Sequence, residues 1–313
     1  MPEPAAPSKP QSPPRRFWLF APYVAALVLA VGGGLAWFAM KGELERRLDL
    51  AAEGLRARGY EVSWTARRIY GFPFRLDVEL DQPRIVQPSG WAIAAPQLRG
   101  EAYSYDPGRW ILFAPLGLSV ARPGKGAVDV TGRAIRASAS GLEGPHPRLS
   151  FQGLDLTFKP QPGALPATLQ SAQALEIHVQ PGPDDQAALM LRVTGGTLAA
   201  ADPLAGLARG RPLALTWDSR LSHVSRLSAR DWPSAVRGWT LAGGAMTVVQ
   251  AQLSLGETML EAKPATLTVG DDGRMQGELP LGLRGGPGDM TLSLRDGIAT
   301  LGPIRLGPSL RIY

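Results

Sequence analysis

FPFRLDVELD, residues 72–81, is the stretch whose reading decides the fold. From Phe74 to Asp81 apolar and polar residues alternate without a break. Phe74, Leu76, Val78 and Leu80 fall on one side; Arg75, Asp77, Glu79 and Asp81 fall on the other. A period of two predicts a β-strand with one greasy and one solvated face. Phe74, Leu76, Val78 and Leu80 are therefore the candidate wall of an apolar groove, weighed against the plainer reading of a packed core.

The same period governs most of the chain beyond Asp81. LEIHV places Leu175, Ile177 and Val179 in one phase. RLSFQGLDLTF changes phase at Gly153, where a bulge would re-aim the strand. Another shift falls near Val249, before Leu253 and Leu255. Glycine (37) and proline (29) in 313 residues favour many short strands joined by turns. Helix signals after Gly59 are limited to 201–207 and 229–239, the second carrying Trp232-Pro233 near its start. Successive strands without intervening helices predict a mainly β fold: a large antiparallel meander, closed as a sandwich or left as an open curved sheet with an apolar groove.

Upstream, residues 17–40 (FWLFAPYVAALVLAVGGGLAWFAM) carry no charge. At about 1.5 Å per residue this is long enough to cross a hydrocarbon core of about 30 Å. Trp18, Tyr23 and Trp37 lie near its ends, and Arg15 and Arg16 precede it. A cleaved signal peptide would need an apolar region of only about 7–15 residues before a small-x-small site such as Gly34-Leu35-Ala36. The expected layout is a disordered cytoplasmic tail over 1–16, a transmembrane helix over 17–40 and a periplasmic β-rich domain over 41–313. Leu44, Leu48, Ala51 and Leu55 predict that a helix continues to Gly59 and lies across that domain.

Chemistry is sparse. The chain has no cysteine, which removes disulfides, thiolate metal sites and cysteine nucleophiles. Its net charge of +6 is spread without a basic run, which argues against nucleic acid as a partner. His146, His178 and His223 are scattered and read as solvated; no local metal-ligand spacing, Walker loop or nucleophile elbow occurs. Asp184-Asp185 and Asp271-Asp272-Gly273 read as turns. No catalytic, cofactor or metal residues are assigned, and no cofactor is expected.

The segments YGFPFRLDVEL, WAIAAPQL, YSYDPGRW, GWTLAGGAMTV, DDGRMQGELPL and GIATLGPIRLGP together resemble the alphaproteobacterial family called domain of unknown function 2125. The Gly71–Phe74 element is also loosely similar to AsmA-type envelope proteins. The resemblance implies an anchored envelope protein and supplies no catalytic residues. The expected function is non-enzymatic: an inner-membrane protein whose periplasmic domain binds lipid or another apolar envelope component. Its expected partners are the bilayer and a lipid ligand or envelope protein. A structural or interaction protein of the envelope is the alternative, and an envelope hydrolase a third.

Overall fold

The computed structural model describes residues 17–142, 144, 146–200, 202, 204–227, 231–284 and 289–313. The expected tail at 1–16, the first residues of the two expected later helices (201 and 229) and the glycine-rich separator at 285–288 lie outside them.

The span and the helix after it form one element, α1 (Phe17–Arg56). It ends where Gly59 takes a φ of +85°, with Tyr60 N donating to Leu55 O. A left-handed glycine is the usual terminator of a helix. Beyond Trp37, the buried position of the helix is Ala52, whereas Ala51 is exposed. The stripe facing the protein is thus Leu44, Leu48, Ala52 and Leu55, one residue away from the expected one.

Everything after α1 is built on a single antiparallel sheet of 21 strand segments. The first ten segments are β1 (Glu61–Ser63), β2 (Ala66–Tyr70), β3 (Arg75–Asp81), β4 (Arg84–Val86), β5 (Ala92–Ala94), β6 (Gln97–Tyr103), β7 (Asp106–Phe113), β8 (Leu118–Arg122), β9 (Gly126–Thr131) and β10 (Ala134–Ser140). They act as five long strands, each interrupted at the same level. The register is kept across the interruption: Ser63↔Arg84 and Ala66↔Asp81 continue one antiparallel frame. So do Arg84↔Ala94 and Asp81↔Gln97. Three of the five breaks fall at Gln82-Pro83, Ala95-Pro96 and Ala114-Pro115, where proline offers no donor to the ladder; the other two fall at Trp64-Thr65 and Gly132-Arg133. Together they form a crease across the sheet.

The longest strands come next: β11 (Arg148–Pro160), β12 (Leu169–Pro181), β13 (Ala187–Leu198), β14 (Leu213–Leu221) and β15 (Met246–Leu255). β11 pairs with β10 through Leu154 and with β9 from Thr157 onward, so it spans the crease. The phase change expected at Gly153 is made at Asp155, whose φ is +50° and whose carboxylate pairs with Arg133 at 2.8 Å. The shift near Val249 is a bulge: Asp218 faces Gln250, Ser219 faces Val248, and Val249 is left out of the pairing.

The meander finishes with β16 (Thr258–Ala262), β17 (Ala265–Val269), β18 (Met275–Arg284), β19 (Asp289–Arg295), β20 (Ile298–Leu301) and β21 (Ile304–Pro308). The first and last strands do not pair, so the sheet is open and not a closed barrel. Two short helices interrupt it, α2 (Ala205–Ala208) and α3 (Trp232–Leu241). Asp231 caps α3 by accepting from Ser234 N, and Pro233 occupies its first turn. Val236 and Trp239 of α3 close the main core against apolar residues of β15 to β20, including Val248, Leu260, Leu267 and Leu279. A smaller core around Ala114, Val130, Ile135 and Leu156 sits at the crease.

Candidate functional site

The greasy side of residues 74–80 divides. Leu76 and Val78 are 2% and 6% exposed, Leu80 is half-buried, and Phe74 at the hairpin tip is 71% exposed. What covers the middle is α1. Trp37 Nε1 donates to Arg75 O at 2.7 Å, Asp49 pairs with Arg67 at 2.6 Å, and Arg56 Nη2 donates to Val62 O at 2.8 Å. The helix therefore runs alongside β3's neighbour β2 and on to β1, with its apolar part beginning at the Gly71–Phe74 tip. Leu76 and Val78 belong to a core and are not groove wall.

The other side of this strand also departs from expectation. Asp77 and Glu79 are buried rather than solvated. Arginines lie over them: Arg75 pairs with Asp77 at 3.1 Å, Arg99 with Glu79 at 3.0 Å, and Arg68 with Glu79. The Arg68 guanidinium holds the Glu79 carboxyl below the usual glutamate range. A carboxylate whose pKa is lowered by folding adds stability above its unfolded pKa and loses it as the pH falls through the folded value. Glu79→Gln should therefore lower the melting temperature at pH 7. The gap from the parent should close as the pH drops below about 4.3. Thermal melts at pH 7 and pH 3 that differ by the same amount would sink this assignment.

Glu79 belongs to a row that crosses the sheet on this face and is polar but for Phe113: Arg68, Glu79, Arg99, Phe113, Arg136, Gln152, Glu176 and Arg192 are successive cross-strand partners. Arg136 Nε donates to Gln152 Oε1 at 2.8 Å, and Gln152 Nε2 donates to Glu176 Oε1 at 2.9 Å. Opposite-sign and hydrogen-bonding pairs in register stitch neighbouring strands together.

On the reverse face, one residue along each strand, lies the apolar counterpart. Ile69, Val78, Gly100, Leu112, Ala137, Phe151, Ile177, Leu191, Trp217 and Ala251 face one another in turn. No polar side chain breaks this row. A second row runs beside it through Trp110, Ala139, Leu149, Val179 and Leu189, and a third through Leu175, Val193, Leu215 and Leu253. The ends of the first row are buried: Ile69, Val78 and Gly100 at the α1 side, Ala251 under α3's core. From Leu112 to Trp217 every member is only half-buried. Six strands, β7 and β10 to β14, so present a half-buried apolar strip between the roof of α1 and the core closed by α3, which Trp217 joins at its edge; α2 packs at the end of the third row, where Leu215 and Leu253 meet Ala208. At about 4.8 Å between strands the strip's width is about 25–30 Å. Periodicity within a strand gives the apolar side; only the register places the uncovered part here.

At the end of the strands remote from Gly71–Phe74, the two ends of the meander face each other across a cleft of about 970 Å³. Its walls include Arg58, Trp91, Arg122 and Lys125 on one side and Trp232, Arg274 and Arg311 on the other. A volume of this size lies in the usual range for ligand pockets. Arg122 and Arg274 are partly engaged, donating to the carbonyls of Pro166 and Ser309.

The histidines are not brought together as a trio. His178 Nδ1 lies 2.9 Å from Ser150 Oγ on the polar face, while His146 and His223 are exposed. Those two lie near Asp185, whose carboxylate is held low by Ser225, accepting from its Oγ and backbone N–H at 2.7 Å each. Asp184 and Asp185 form the β12–β13 turn with positive φ, as the sequence suggests. Among the described residues no group of three or more His, Asp or Glu is arranged to hold a metal ion.

No curated protein and no solved structure matches the chain. The AsmA likeness thus finds no match to stand on. One family does match, over residues 37–287, described as an uncharacterised protein conserved in bacteria. That stretch takes in the outer half of α1, the Gly71–Phe74 tip and all three apolar rows, and the chain belongs to this family, DUF2125.

Proposed function

We propose that the protein is a single-pass inner-membrane protein whose β-domain stands in the periplasm and shelters the acyl chains of a lipid, or another apolar envelope molecule, along the uncovered strip. The observation that carries this reading is the row from Leu112 to Trp217, apolar at every position and half-buried between two roofed ends. A core sheet would be roofed along its whole length, because apolar area left in water costs about 25 cal/mol per Å². α1 supports the anchor: it is long and apolar enough to cross a membrane. Arg15 and Arg16 before the span support a cytoplasmic N-terminus.

The full chain, purified in mild detergent and washed, is expected to carry phospholipid detectable by mass spectrometry of an organic extract. Phe151→Asp combined with Ile177→Asp should reduce the lipid per protein several-fold with the β-type circular dichroism spectrum unchanged. Both side chains are half-buried, so charges there can still reach water. Parent protein that is lipid-free and stable would overturn carriage and favour a protein segment as the strip's cover.

A further inference from the structure

The hairpin tip Gly71–Phe74 sits beside a part of α1 that belongs to the apolar span. Phe72 packs edge-on against Trp37 with ring centroids 5.5 Å apart, and its ring lies 3.8 Å from where a side chain on Gly34 would begin. Gly34 is six residues inside the end of the uncharged stretch, about 9 Å along the helix axis. Yet Phe72 and Phe74 are 56% and 71% exposed. The neighbouring β6–β7 tip adds Tyr103 and Tyr105, stacked at 5.0 Å and both exposed.

From this placement we infer that the two tips are immersed in the bilayer beside the anchor, at the boundary of headgroups and acyl chains. The inference rests on reading α1 as a membrane span. Its occupant is the lipid of that same bilayer, since the exposed rings continue the surface of the span itself. The backbone is suited to the position. Gly71 O accepts from Arg75 N, Pro73 O from Ser104 Oγ, and Phe74 O from Ser104 N, so three tip carbonyls have partners inside the protein. Proline brings no amide hydrogen to satisfy. Unmet backbone groups are what lipid tolerates least. Neither Gly71–Phe74 nor Tyr103–Tyr105 contains a charge, and the charges that flank them are paired: Arg75 with Asp77 and Glu101, and Asp106 with Arg109 at 3.6 Å. Aromatic rings with a polar tip favour this depth. Gly71 has a φ of +104°, and a Cβ there would lie 2.8 Å from Arg75 O, so the turn that projects the two phenylalanines requires glycine.

Because the chain has no cysteine, single probes can be placed without background. Full-length Phe74→Cys, Ile93→Cys and Leu29→Cys variants would each be labelled with NBD and reconstituted into phosphatidylcholine vesicles containing doxyl-labelled lipid. The Phe74 probe is expected to emit at shorter wavelength than the Ile93 probe, to be quenched several-fold by shallow doxyl lipid and to resist aqueous iodide. The Ile93 probe, on the far side of the crease, should show the reverse. A Phe74 probe quenched by iodide while the Leu29 probe is quenched by lipid would overturn tip immersion and leave the anchor standing. Loss of lipid quenching at Leu29 as well would overturn both.

Discussion

Trp239→Ala is expected to destabilise the protein by about 3–5 kcal/mol, the range for truncating a buried large aromatic side chain. Trp239 is buried in the largest core, beside Val236 and against the sheet. Its Nε1 donates to Ser222 O, which ties α3 to the end of β14. The indole also fills the space over Gly244, where any Cβ would collide with the ring. Truncation leaves a cavity and removes a carbonyl's partner at once. Urea melts would measure the change through the midpoint at constant slope. Trp239→Phe separates the two effects: it retains most of the volume and loses the hydrogen bond, which contributes about 1 kcal/mol. A loss below about 1 kcal/mol for the alanine variant would mean that α3 does not roof this half of the sheet.

The second large effect concerns attachment. Full-length protein is expected to stay with the membrane pellet through an alkaline carbonate wash. A chain beginning at Gly34 should move to the supernatant. This cut keeps Trp37 and Phe38 on Phe72 and the Trp37–Arg75 bond, so the outer domain retains its packing. The remaining apolar residues 34–40 are far fewer than the roughly 20 needed to span. Full-length protein released by carbonate would sink the anchor, and with it the immersion of the tips.

The strand over residues 74–81 was legible because its alternation is a local property. So was the bulge at Val249, where one surplus residue inverts the phase. The helix was legible too, yet its buried face turned on Ala52, a choice a four-three-four spacing cannot make alone. The solvated face assigned to Asp77 and Glu79 failed for a non-local reason. The guanidinium groups of Arg68 and Arg99 arrive from strands on either side, and nothing within the strand announces them. The uncovered strip had the same limitation. Phe151, Ile177 and Leu191 read individually as core positions. They become one surface only through pairings between residues up to 26 positions apart, such as Phe151↔Ile177 and Leu191↔Trp217. Where α1 and α3 stop covering that surface is a matter of tertiary placement.

The sequential order of the pairing has a further consequence. With each segment docking on those next before it in the chain, the growing edge offers a template as soon as it has formed. A polypeptide delivered N-terminus first can lay down its wall one plank at a time, without waiting for distant residues to arrive. Contacts close in sequence form fastest, because they close the shortest loops. The construction order built into this topology therefore suits a chain that folds as it is delivered, with one fixed edge at the first strand and one advancing edge at the newest.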